Sequence, residues 1–458
     1  MADYLEFLKQ KAVVDVPTGL SDVPPLNPML FDFQADQVSW ALRRGRSALF
    51  DDCGLGKSPM QLEWANKQPH ECLIVSHLAV AHQFVREAQK FGVDVAYAKD
   101  QSQVSKRITV TNYERLENFH VEQFGAVSLD ESSILKNSSG AYSTWMIEAF
   151  KNTPFRLCCS ATPAPNDVME LGTQAEFLGV MSRSEMLAMY FTHDGGDTSK
   201  WRVKGHAQKA FWEWMASWAI MIRKPSDLGY SDDGFILPPL RMHEHQIRVK
   251  QPTNGFLFAL EAQTLQERQS ARRDSVGDRV RACADIVNAS RYPFLVWCNL
   301  NDESAQLAAA IPDAIEVTGS DSDDQKEAAI VGFLEGRYRV MVSKPKIAGL
   351  GLNLQHCADM AFVGLSDSYE QLYQSIRRCW RFGQTKPVNV HVITAETEGA
   401  VVSNIKRKER EAEETYNSMI EHMKDLNAAA LHGGSVRNKT SYLPTVPMFI
   451  PDFMRAAA

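Results

Sequence analysis

No stretch of this chain approaches the roughly 18 uninterrupted apolar residues that a membrane-crossing helix needs. The opening MADYLEFLKQ also lacks a basic segment followed by an apolar run. The expectation is therefore neither a membrane span nor a secretory leader. Cysteine is sparse: Cys53, Cys72, Cys158, Cys159, Cys283, Cys298, Cys357 and Cys379 are scattered, and no Cys-x-x-Cys pair sets up zinc spacing. A reduced, cytoplasmic protein is expected. An excess of one charge is missing too, since 49 Lys and Arg stand against 56 Asp and Glu for a net charge of -7. Bulk charge gives no hint of a nucleic-acid partner, so any grip on a polyanion must come from local basic patches.

The chain has 458 residues, 44% of them hydrophobic and 23% charged, an ordinary globular balance with material for a substantial core. That length suggests two domains of roughly 200 residues each. Short apolar runs alternate with helix-length segments, the signature of a parallel α/β sheet. Predicted strands in the first half are Ala48 to Phe50, Cys72 to Ser76, Ile108 to Thr111, Ala126 to Leu129 and Phe155 to Cys159. Those in the second are Phe294 to Cys298, Ile315 to Thr318, Tyr338 to Ser343, Met360 to Val363 and Val388 to Ile393.

Between the halves, about 174–230 breaks the alternation. HDGGDTSK reads as an exposed loop, and FWEWMASWAIMI puts Phe211, Trp214, Trp218 and Ile222 at helical spacing. A packed helical insertion explains that stripe better than a base-stacking platform would. The predicted division is a first lobe over 1–240, a second over 241–425, and an irregular extension over 426–458 containing Gly433, Gly434 and three prolines.

The first chemical signal is SALFDDCGLGKS, an apolar strand entering a glycine-containing loop that runs into Lys57, Ser58 and a helix-like MQLEWANKQ. Gly54 and Gly56 permit a turn whose successive backbone N–H groups face a phosphate, with the helix adding its positive end. Asp52, Cys53, Gly54, Leu55, Gly56, Lys57 and Ser58 then form a nucleotide cradle. Lys57 would neutralise the β- and γ-phosphates and Ser58 would bind Mg²⁺. Asp51 stands where the general pattern has its first glycine. The second signal is AVSLDE, an apolar run ending in Asp130 and Glu131. At a strand end Asp130 can bind the metal and Glu131 can polarise an attacking water, which supplies the groups phosphoryl transfer still needs.

These residues resemble the superfamily-two helicases, particularly their Swi/Snf-type ATPase branch. FDDCGLGKS is similar to that branch's first motif, where an acidic residue is common at the position of Asp51. LFDFQADQVSWAL resembles the upstream glutamine motif, which puts Gln34 on the residue that reads adenine. CLIVSHLAVAHQFVREAQKF and VTNYERL resemble motifs that hold a nucleic-acid strand. LDESS stands at the acidic tetrad, with Ser132 and Ser133 in its last two places, and this leaves the coupling of hydrolysis to strand movement in question. SATPAPND resembles the coupling motif, with Ser160, Ala161 and Thr162 on its positions. KIAGLGLNLQ matches the fifth motif through Gly349, Gly351 and Asn353. YQSIRRCWRFGQ matches the sixth through Gln374, Arg378, Arg381, Gly383 and Gln384. Arg223 and Lys224 resemble the basic stretch that follows the first lobe.

The resemblance implies an α/β fold of two tandem RecA-like parallel-sheet lobes with a helical insertion between them, using ATP and Mg²⁺. It implies that Lys57, Glu131, Arg378 and Arg381 are catalytic, that Ser58 and Asp130 hold the metal, and that Gln34, Gly349 and Gln374 line the nucleotide. Ser160, Ala161, Thr162 and Asn353 would link that site to the track. Arg378 and Arg381, three apart, would share one helix face and converge on one phosphate from the second lobe. The expected partner is DNA, duplex favoured, with RNA kept as an alternative track, and the compact chain suggests a minimal bacterial or phage version. The competing readings are a strand-separating helicase and a nucleotide-gated clamp with little turnover.

Overall fold

The computed structural model describes residues 17–248 and 273–431, apart from 137–139, 166, 195–196, 349–351 and 367. Strands of the first half are β1 (Arg46–Asp51), β2 (Cys72–Ser76), β3 (Val95–Tyr97), β4 (Ile108–Asn112), β5 (Ala126–Asp130), β6 (Phe155–Cys159), β7 (Phe191–Asp194), β8 (Asp197–Val203) and β9 (Ala219–Ile222). Those of the second are β10 (Leu240–Ile247), β11 (Phe294–Cys298), β12 (Ala314–Val317), β13 (Val340–Ser343), β14 (Asp359–Val363) and β15 (Val388–Ala395). Among the described residues all but β7 and β8 form two sheets with all-parallel pairing, ordered β3-β4-β2-β5-β6-β1-β9 and β10-β15-β14-β11-β13-β12. Strands β2, β4, β5 and β6 are buried at every position, as expected for sheets covered on both faces.

Helices cover those faces. In the first lobe α1 (Asp32–Arg44), α2 (Lys57–Lys67) and α3 (Leu78–Phe91) precede α4 (Ala141–Ala149), α5 (Leu171–Leu178), α6 (Arg183–Tyr190) and α7 (Gln208–Trp218). The second lobe carries α8 (Val276–Ala289), α9 (Asn301–Ala310), α10 (Asp323–Leu334), α11 (Tyr369–Ile376) and α12 (Gly399–Leu431). The two-residue period of the strands divides the first lobe's core. Leu49, Ile74, Val110 and Leu157 face one layer with α1 to α3, while Phe50, Val75, Leu129 and Cys158 face the other. The tandem parallel-sheet prediction is met, and all eight cysteines are free and buried.

Phe211, Trp214 and Trp218 are fully buried in the first lobe's core, so they are packing residues and no stacking platform. The structure corrects three other expectations. Helix α7 stops at Trp218, and Ile222, placed on the same helical stripe by its spacing, lies instead in β9 beside β1. The apolar run Ala219–Ile222 is buried at every position, and pairing with the sheet satisfies its backbone as a helix would. HDGGDTSK is no irregular loop: β7 and β8 form an antiparallel hairpin around residues 195–196, which lie outside the described residues. The extension set at 426–458 begins as helix, since α12 runs unbroken to Leu431; Gly433 and Gly434 lie outside the described residues.

Helix α12 also crosses from the second lobe to the first. Its Met419, Ile420 and Met423 join the core around Trp214 and Trp218. The Tyr416 hydroxyl donates at 3.4 Å to the carbonyls of both Phe50 and Ile222, bridging β1 and β9. Arg223 stacks over the Tyr416 ring and donates to Asn417 at 2.6 Å, so this arginine is engaged by α12.

At the outer edge of the second sheet, His243 and His245 of β10 flank His391 of β15, with His245 Nε2 3.0 Å from His391 Nδ1. Burial, then the neighbouring imidazoles, push His391 down to about 4. An unfolded chain protonates this side chain below about 6.5, so the associated stability is complete above that pH and is lost as pH falls toward the folded value. Because His391 is half-exposed, the loss is discounted to about 1–2 kcal/mol. His391→Val is expected to flatten the fall in unfolding free energy between those two pH values, measured against the native chain in urea. An unchanged pH profile refutes the assignment.

Candidate active site between the lobes

The phosphate loop follows β1 and closes on α2. Gly54 and Gly56 have φ of 92° and 85°, the left-handed region that favours glycine. At Gly56 a second constraint acts: a methyl group there would lie 2.2 Å from Gln34 Nε2. Gln34 is buried in α1, donates to Leu55 O at 2.8 Å and accepts the Phe31 N–H at 3.0 Å. The residue predicted to read adenine is thus also a brace for the loop. Lys57 Nζ donates to the carbonyls of Asp51 at 2.7 Å and Asp52 at 3.3 Å. Asp51 is fully buried, and this burial raises it to about 7 against the pull of Lys57 and its bond from Gln37 at 3.1 Å. Ser58 opens α2 in the second helical position.

Asp130 ends β5, and Glu131 turns the chain with φ 55°, one of two described non-glycine residues in the left-handed region. A glutamate gains nothing locally from that conformation, and such strain of about 1–2 kcal/mol gathers at working sites. Asp130 is raised to about 7, first by burial and then by the neighbouring Glu131. Gln61 of α2 donates to Asp130 at 2.8 Å and is itself held by Ser128, which fixes the carboxylate toward the phosphate loop. Ser160 Oγ bonds Glu131 at 3.4 Å and accepts the Thr162 N–H at 3.0 Å, while Ala161 between them is buried.

The second lobe meets this site directly. Gln374 of α11 donates to Thr162 Oγ1 at 3.2 Å, joining YQSIRRCWRFGQ to SATPAPND across the lobes. Arg377 Nη2 donates to Cys53 O at 2.7 Å, and a methyl group on Gly54 would lie 2.8 Å from Phe382 N and 3.4 Å from Arg381 Cβ. Arg378 is buried and donates to Gln374 O at 2.8 Å. Arg381 Nη1 donates to Leu352 O at 3.2 Å, and its Nε is buried with no hydrogen-bond partner. Burial, then the charge of Arg378, lowers Arg381 to about 10. Two crowded guanidinium groups, one with an orphaned donor, suit an anion.

One prediction about these arginines fails. Helix α11 ends at Ile376, so Arg378 and Arg381 do not share a helix face; they occupy the turns beyond it, up to Gly383 with φ 87°. Tight turns can direct neighbouring side chains into one cleft as well as a helix stripe can. Asn353 is near, its Oδ1 accepting the Gln355 N–H at 3.4 Å, whereas Gly349 and Gly351 lie outside the described residues. Spacing missed Arg377, Tyr373 and Phe382. Arg377 was visible as the first arginine of IRRCWR, but nothing in the sequence tied it to the phosphate loop.

No three His, Cys, Asp or Glu side chains among the described residues converge as a metal site. Ser58 and Asp130 still fit Mg²⁺, which takes one or two protein oxygens and completes its shell with phosphate and water.

Residues 278–383 match the helicase conserved C-terminal domain family. The chain is 22% identical over 423 residues to the Mus musculus DNA annealing helicase and endonuclease ZRANB3, covering 81% of this chain and 39% of that protein. It is also 22% identical over 444 residues to a Drosophila melanogaster SWI/SNF-related matrix-associated actin-dependent regulator of chromatin subfamily A-like protein 1, covering 89% and 58%. The chain thus spans less than two thirds of either relative. Among solved structures, a Sulfolobus solfataricus SWI2/SNF2 ATPase core in complex with dsDNA aligns with 82% of this chain and 90% of its own, at 16% identity and a TM-score of 0.41. Residues 278–383 thus match a helicase C-terminal domain, and the chain as a whole is similar to these helicase and SWI/SNF-related proteins.

Proposed function

We propose that the chain is a nucleic-acid-dependent ATPase that translocates on duplex DNA. The observation that carries this reading is the meeting of the Gly54–Lys57 loop of one lobe with the Arg377–Phe382 turn of the other. Bound Mg²⁺ would offset charge on the phosphates of ATP. Loop amides and Lys57 bind the triphosphate, and Ser58 and Asp130 hold the metal. Glu131 takes a proton from water, while Arg378 and Arg381 neutralise charge that builds on the γ-phosphate. Since the arginines belong to the second lobe, hydrolysis would require that lobe to be closed.

The clamp reading rested on Ser132 and Ser133. Ser132 Oγ donates to Gln174 at 2.7 Å, and Gln174 donates to Pro163 O at 2.8 Å, so this position is still wired to the Ser160–Thr162 loop. That wiring favours a motor. A cavity of about 180 Å³ between the lobes is lined by Arg86, Lys326 and Lys346 and equally by Glu114, Asp323 and Glu327, with Arg86 paired to Glu327, so its charge is balanced; the motifs, and not this cavity, point to an anionic track. Duplex DNA is expected to raise ATP turnover more than single-stranded DNA or RNA does, with ATP-dependent displacement of a triplex strand. Robust turnover without displacement removes translocation. Best stimulation by RNA moves the track to RNA.

A further inference from the structure

Arg377 is the arginine of IRRCWR that the hydrolysis scheme does not use, yet it makes the most direct contact with the phosphate loop. Its Nη2 lies 2.8 Å from Asp52 Oδ2, with side chains 5% and 10% exposed, so this is a nearly dry ion pair across two lobes. The Tyr373 hydroxyl, one turn earlier, donates to Asp52 Oδ1 at 2.6 Å. The same Oδ1 accepts the Cys53 N–H at 2.6 Å, so the Asp52 carboxylate sits on an amide of the very loop that should face phosphate. The Trp380 and Tyr373 rings flank the guanidinium at 5.0 and 5.7 Å and hold its plane. Lys57 reaches only the carbonyl of Asp52, at 3.3 Å, and the ion pair made by the Asp52 carboxylate is with Arg377.

A nearly buried carboxylate next to the loop opposes a triphosphate unless something neutralises it, and here the neutralising charge comes from the opposite lobe. We propose that Arg377 is a positioning residue for nucleotide binding: it cancels Asp52 from across the cleft, so that the affinity of the phosphate loop depends on docking of the second lobe. This rests on the nucleotide-motor reading and adds to it a third inter-lobe arginine, one that acts before the chemical step.

The test uses the full chain and Mg·ADP, which is not consumed, with calorimetric dissociation constants. Arg377→Gln leaves Asp52 uncompensated and is expected to weaken binding by about tenfold or more. Asp52→Asn alone is expected to bind no more weakly than the native chain. The double variant, whose amides can still hydrogen-bond, should return to within about threefold of native. Arg377→Lys keeps the charge but loses the planar fork between the rings, and should bind more tightly than Arg377→Gln while falling short of native. A purely structural brace predicts instead that every variant loses affinity in step with melting temperature. Unchanged binding in Arg377→Gln, or no restoration by Asp52→Asn, overturns the proposal; should Arg377→Gln fail to fold, the double variant decides alone. If the native chain binds no Mg·ADP, or Lys57→Ala binds it equally well, the motor reading falls first and takes this one with it.

Discussion

Glu131→Gln is expected to bind Mg·ATP within about threefold of the native chain while losing about 10²–10⁴-fold in turnover, the usual worth of a positioned general base. The amide keeps the size of the carboxylate and its bond from Ser160, but it cannot take a proton from water. The left-handed turn at Glu131 accepts glutamine as readily as glutamate, so the fold should survive. It also relieves Asp130, which the Glu131 charge raises, and any change in stability should be toward a firmer native state. Phosphate release under single-turnover conditions, read beside equilibrium ATP binding, separates the two effects. Retained turnover would show that another group activates water. Lys57→Ala is the control, expected to lose binding and turnover together.

Arg381→Ala should show the same dissociation with a larger drop. An arginine brought to a transferring phosphoryl group is worth about 10³–10⁵ in rate. In the described arrangement Arg381 makes one bond, to a backbone carbonyl, and keeps a buried unpaired Nε beside Arg378, so it contributes little to holding the resting structure together. ATP affinity and melting temperature are therefore expected to stay close to native while turnover disappears. Loss of binding instead would show that Arg381 grips the ground state. Placement of Arg381 beside Gly54, rather than on an outward surface, is what makes the experiment informative.

Residues close together in the chain were the legible part. Ten strands could be placed because a two-sided parallel sheet demands short continuous apolar runs, and each predicted run overlaps one of β1, β2, β4 to β6 or β11 to β15. The phosphate loop was readable because glycine is nearly obligatory at the φ of Gly54 and Gly56. Asp130 and Glu131 were readable because they follow a buried apolar run downstream of a phosphate loop; the dipeptide alone is more often a solvated turn. Strand β9 was misread because Ala219–Ile222 is apolar at every position, and such a run has no period to tell strand from helix. The short β3 and the edge strand β10 give weaker signals still, since only the half-buried positions of an edge are constrained.

What the sequence by itself determined was local: which segments become strands, where the backbone must turn left-handed, and which chemical groups are available to a phosphate. Tertiary structure alone decided which groups meet. Asp52 and Arg377 are over three hundred residues apart in the chain and share a nearly dry ion pair, and α12 returns to the first lobe to place Met423 and Tyr416 against it. Propensity and periodicity act over a few residues, whereas the pairing of a buried charge or the filling of an apolar face is settled by whichever distant segment the packed chain brings within reach.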